Sequence, residues 1–115
     1  MERERVLATC RGLPHVAEGF PFSDTALVFT VAGKMFALVA VGDGPASVSL
    51  KCDPGYAAAL REQHPAVSAG YHLNKRHWNT VQLDGSVPNE LLDEWIRDSY
   101  ELVVAGLPRA RRAVW

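Results

Sequence analysis

The chain predicts a two-layer α+β domain, an antiparallel five-stranded sheet covered by helices in the order α-β-β-β-α-β-β-α. Three observations carry that reading. Apolar residues recur at period two in some runs, as in Ser47-Val48-Ser49-Leu50-Lys51, and at helical spacing in others. Tight turns at Ala32-Gly33 and Asn74-Lys75-Arg76 join strand-like runs into hairpins, which makes the sheet antiparallel. Runs of strands with helices between and after them belong to the α+β layer architectures. With 115 residues, 48% hydrophobic and 22% charged, the chain is one globular domain with a real core.

Residues 2–11 form the first helix, with Val6, Leu7 and Cys10 on one stripe, and Gly12 and Pro14 stop it. An irregular segment spans 15–24. Residues 26–31 and 34–41 are strands joined at Ala32-Gly33, and the turn cluster Gly42-Asp43-Gly44-Pro45 leads to a third strand over 47–51 with one wet face. Asp53 supplies a capping side chain before Pro54, so a second helix runs to about residue 63, where Pro65 ends it by disfavouring helical geometry at His64. A fourth strand near 70–73 meets a fifth over 77–83 across Asn74-Lys75-Arg76. Pro88-Asn89-Glu90 opens a third helix whose Leu91, Leu92, Trp95, Ile96, Leu102 and Val103 form its apolar stripe until Gly106 and Pro108. The single domain spans 1–108, and 109–115 is a loosely held basic tail.

A net charge of −1 argues against strong, sequence-blind affinity for nucleic acid, because that affinity comes from neutralising phosphates. The charge is unevenly spread, however. Residues 64–83 carry two cations, Lys75 and Arg76, and no Asp or Glu, whereas residues 90–101 hold five acids against one Arg. Any basic face is therefore local. Cys10 and Cys52 stand far apart without close-spaced partners, which predicts two free thiols in a reducing, cytoplasmic setting. Met1-Glu2-Arg3-Glu4-Arg5 lacks the apolar core of a secretory signal, and no apolar run approaches the roughly 20 residues of a membrane span.

The run from His72 through Gly85, His-Leu-Asn-Lys-Arg-His-Trp-Asn-Thr-Val-Gln-Leu-Asp-Gly, sets basic, aromatic and amide side chains beside a strand-like alternation. Together with Glu18-Gly19-Phe20-Pro21-Phe22, Gly33-Lys34-Met35-Phe36-Ala37, Ser49-Leu50-Lys51-Cys52-Asp53-Pro54 and Ser99-Tyr100-Glu101-Leu102-Val103-Val104, it resembles the MmcQ/YjbR family. These pieces follow the family order along nearly the whole chain. The resemblance implies an α+β "double wing" of β-hairpins and a DNA-binding role, although a fold does not by itself fix a function.

Alternation places Val81 and Leu83 on the core face of the fifth strand, sends Trp78, Thr80 and Gln82 to the other face, and points Asn79 coreward. Trp78 then either covers the open sheet face or packs under the 15–24 segment, or serves as a contact surface. With the DNA role that the resemblance implies, the chain reads as a nonenzymatic module in which Lys34, Lys51, Lys75 and Arg76 meet phosphates while Trp78 and Asn79 supply aromatic and amide contacts, without a helix-turn-helix or zinc-finger motif. The expected binding to DNA is weak and salt-sensitive, by a monomer. The alternative is a protein- or small-ligand-binding module in which Phe20, Phe22, Phe36 and Trp78 line an apolar groove rimmed by Lys and by Glu18. Glu18 is itself expected to pair with Lys34 or Lys51. No metal and no cofactor are expected: His15, His64, His72, His77 and Cys52 show no ligand spacing, Ser86 and Ser99 lie in no nucleophile elbow, and Gly42, Gly44 and Gly55 make no phosphate loop.

Overall fold

Among the described residues the sheet has six strands, one more than the sequence pattern predicts, in the spatial order β1-β2-β3-β4-β6-β5 with every neighbouring pair antiparallel. The elements are α1 (Glu2–Arg11), β1 (Val16–Gly19), β2 (Ala26–Val31), β3 (Lys34–Ala40), β4 (Ser47–Lys51), α2 (Pro54–Gln63), β5 (Val67–Ala69), β6 (Trp78–Gln82) and α3 (Asn89–Ala105). This computed structural model describes residues 2–70 and 73–108. The predicted basic tail, Tyr71 and His72 lie outside the described residues. The order is thus α-β-β-β-β-α-β-β-α, which corrects the five-stranded expectation.

The extra strand is β1, within the segment expected to be irregular. Ala17, Glu18 and Gly19 are weak strand formers, so it is the register Val16↔Val31 to Gly19↔Val28 against β2 that makes them a strand. The predicted strand near 70–73 instead ends at Ala69, where β5 pairs with β6. Gly70 follows because only a residue without a Cβ fits: an added Cβ would stand 2.8 Å from the Cβ of Trp78. The first hairpin turns tightly through Ala32 (φ 51°) and Gly33 (φ 79°), both left-handed, as a two-residue turn matched to strand twist requires.

The helices share one face of the sheet. Leu27, Val39, Val48, Leu50 and Val81 point into a single core with Val6 and Cys10 of α1, Leu60 of α2, and Trp95 and Ile96 of α3. Among the described residues, the opposite face has no helix. The expected wet side of β4 is nevertheless partly closed, because Ser49 and Thr80 are buried with their hydroxyls 2.9 Å apart. The second helix starts where Pro54 predicts, but Asp53 caps through its backbone carbonyl, which accepts from the Ala57 N–H at 2.7 Å, and not through its side chain.

A β-bulge fixes how α3 sits. Phe29 pairs with Ala37 and Thr30 with Met35, so Phe36 is the extra residue and both Phe36 and Ala37 are buried. The Ser99 hydroxyl of α3 donates to the Phe36 carbonyl at 2.6 Å and accepts from the Lys51 N–H at 2.8 Å. It stands where a direct bond between β3 and β4 would otherwise form. Ser99→Ala leaves both backbone groups unmatched and is expected to cost about 1–3 kcal/mol in a denaturant melt.

Candidate nucleic-acid interface at the hairpin end

Antiparallel register decides which residues meet. β3 begins at Lys34, β4 ends at Lys51 and β6 begins at Trp78, with Ala37 opposite Leu50 and Lys51 opposite Trp78. Lys34, Lys51 and Trp78 therefore lie at one end of the sheet, together with the turn carrying Lys75 and Arg76. The two hairpins project from that same end with β4 between them. At a strand spacing of about 4.8 Å, their midlines stand about 14 Å apart.

Backbone and amide bonds build the second tip. Asn74 Oδ1 accepts from the N–H of Arg76 at 2.9 Å and of His77 at 3.3 Å, and the Asn74 carbonyl accepts from the Trp78 N–H at 2.9 Å. This local turn leaves Lys75 and Arg76 exposed. Arg61, in the last turn of α2, fastens the tip to the domain by donating to the Lys75 carbonyl at 3.2 Å and to Asn79 Oδ1 at 2.8 Å. Sequence reasoning missed Arg61, for which a cation in a helix's last turn was the one available sign.

Trp78 is half-buried on the helix-free face, directly across from Lys51. Asn79 points coreward as alternation requires, but its proposed role as a contact residue is corrected: it is buried, and its amide is committed to Arg61 and to the Ala57 carbonyl at 3.2 Å. Phe36 is likewise removed from the alternative groove, since it is fully buried with its ring 5.3 Å from that of Tyr100. Glu18 pairs with neither Lys34 nor Lys51. Both of its carboxylate oxygens accept from Arg11 at 2.8 Å, and that guanidinium holds the Glu18 carboxyl below its ordinary range. Phe20 and Phe22 are exposed, 53% and 69%, beside a shallow depression that includes Ala17, Val28 and Thr30.

The thiols occupy different settings. Burial pushes Cys10 up to about 12, which leaves it a core side chain and not a nucleophile, while half-buried Cys52 is raised mainly by burial and then by Asp53 and Asp98. The His64 ring packs edge-to-face on Trp95 with centroids 5.2 Å apart. No helix among the described residues is long and apolar enough to cross a membrane.

The sequence profile of the YjbR family matches residues 11–102. The chain belongs to the YjbR family. It is 35% identical over 112 residues to the uncharacterized protein YjbR of Escherichia coli K12, covering 97% of this chain and 95% of that one. To the uncharacterized protein YbdF of Escherichia coli O157:H7 it is 36% identical over 97 residues, covering 84% of this chain and 80% of the relative. The crystal structure of Deinococcus radiodurans protein DR2400 superposes with a TM-score of 0.88 at 46% identity, over 94% of this chain and 83% of that one. A Pseudomonas syringae crystal structure gives a TM-score of 0.76 at 26% identity, over 89% and 98%. Lys34, Lys51, Lys75, Arg76 and Trp78 all fall within the segment that the YjbR profile matches.

Proposed function

We propose that the protein is a noncatalytic binding module that engages DNA through the hairpin end of its sheet. The observation that carries this reading is the register, which gathers Lys34, Lys51, Lys75, Arg76 and Trp78 at one end although they come from three strands and a turn. The roughly 14 Å between hairpin midlines is close to the roughly 12 Å width of a B-DNA major groove, so the two tips suit phosphates on opposite sides of one groove. Lys51 beside Trp78 adds a cation next to an aromatic surface, the pairing that grips a nucleic-acid backbone and its bases.

Four cations set the scale of binding. Neutralising four phosphates gives a log-log salt slope no steeper than about −3.6, so binding is weak at physiological salt. The test is a salt-varied titration against duplex DNA, single-stranded DNA and RNA. Changing Lys75 and Arg76 together to Ala is expected to flatten the slope by up to about 1.8 while the melt stays unchanged. An unchanged slope takes the second hairpin out of the interface. A second reading, a protein-docking surface, is favoured by the exposed Phe20 and Phe22. It takes precedence if none of the three nucleic acids binds.

A further inference from the structure

Among the described residues, sheet and helices leave a well-formed cavity on the helix-covered face, next to the hairpin end. About 440 Å³ in volume, it lies between α2 and α3, floored by Leu50 and Val81 of the sheet and walled by Leu60, Trp95 and Leu102. Its size and apolar lining are those of a small-molecule site. The mouth has a different character. Asp53, Asp98 and Glu101 border it, and burial together with the neighbouring Glu94 and Glu101 pushes the Asp98 carboxyl above its ordinary range, so negative charge is crowded there.

Of the cations near this mouth, Lys51 is turned aside, Arg61 is engaged elsewhere and Arg97 offsets the acidic charge only in part. Lys51 also borders the cavity, but its position opposite Trp78 sends its side chain toward the helix-free face. Arg61 is bound to Asn79 and to the Lys75 carbonyl. Arg97 precedes Asp98 on the exposed side of α3 and partly offsets its neighbours. Three carboxylates at the mouth of an apolar pocket are complementary to a molecule with an apolar body and one positive end.

We propose that the cavity between α2 and α3 binds a small amphipathic cation, an amine carried on a ring or short hydrocarbon chain, with the hydrocarbon against Leu60, Trp95 and Leu102 and the ammonium at Asp53, Asp98 and Glu101. The proposal does not depend on DNA binding. Charge is the discriminating variable, so three probes of one shape test it: 4-phenylbutylamine, 4-phenylbutanol and 4-phenylbutyrate. The readout is the indole N–H signals of the full chain labelled with 15N-tryptophan, assigned with Trp78→Phe and Trp115→Phe.

The Trp95 signal is expected to shift saturably, with the amine tightest, the alcohol weaker and the carboxylate weakest. Asp98→Asn lies on an exposed stretch of α3 and should weaken the amine about two- to fivefold, the range of a single solvent-exposed ion pair, while leaving the alcohol within twofold. Glu101→Gln serves the same purpose if Asp98→Asn melts early. Ala105→Trp, an exposed position at the cavity edge, should abolish binding of both without lowering the melting temperature. Carboxylate binding as tight as the amine overturns the ligand class, and a Trp95 signal unmoved by all three overturns the site.

Discussion

Trp95→Ala should lower the unfolding free energy by about 3–5 kcal/mol, whereas Trp78→Ala should cost about 1 kcal/mol or less. The first ring is 4% exposed in the core under α3, packed against His64. Removing it opens a void next to an existing cavity, where the surroundings have little with which to close it. Trp78 stands half-buried on the face that none of the described helices covers, so its loss removes contact area without emptying the core. The proposed DNA binding should respond in the opposite sense, with Trp78→Ala weakening it at unchanged fold. Denaturant melts of both variants beside a titration decide the matter: equal destabilisation would make Trp78 structural and remove it from the interface.

Phe36→Ala is expected to be as costly, about 3–5 kcal/mol, against a typical total stability of about 5–15 kcal/mol. Its ring fills the space created by the bulge, between Phe29 at 6.3 Å and Tyr100 at 5.3 Å, and its carbonyl accepts from Ser99. Truncation therefore loosens the joint of β2, β3 and α3 together. Phe20→Ala and Phe22→Ala, at exposed positions, should each stay within about 0.5 kcal/mol. A Phe36→Ala protein that melts with the wild type would return that ring to the surface and restore the groove in which sequence reasoning placed it.

The contrast between these residues shows how far the sequence was legible. All three helices stand where helical spacing punctuated by Gly and Pro puts them, since those signals are local. β1 was not legible, because Ala17, Glu18 and Gly19 become a strand only by lying against β2. Phe36 was misplaced because a bulge shifts alternation by one residue and leaves no mark in composition. Asn79 was assigned the correct face, yet its partners, Arg61 and Ala57, belong to a helix whose docking no spacing announces. The Glu18 pairing failed for the same reason, since Arg11 reaches it across the turn from α1. The hairpin cations were recognisable as residues, but their gathering at one end depends on register, and the cavity between α2 and α3 depends on packing alone.

The strand lengths also govern how copies of the molecule treat one another. The sheet is open, and its outermost strands, β1 with four residues and β5 with three, are shorter than the seven-residue β3 inside it. An outer strand offers unpaired N–H and C=O groups on which another chain can build. Here each offers so few that a second molecule adding itself edge to edge would gain only a handful of ladder bonds, set against the entropy of joining two bodies. Lengthening either border would add ladder bonds to such an edge-to-edge contact and favour polymerisation.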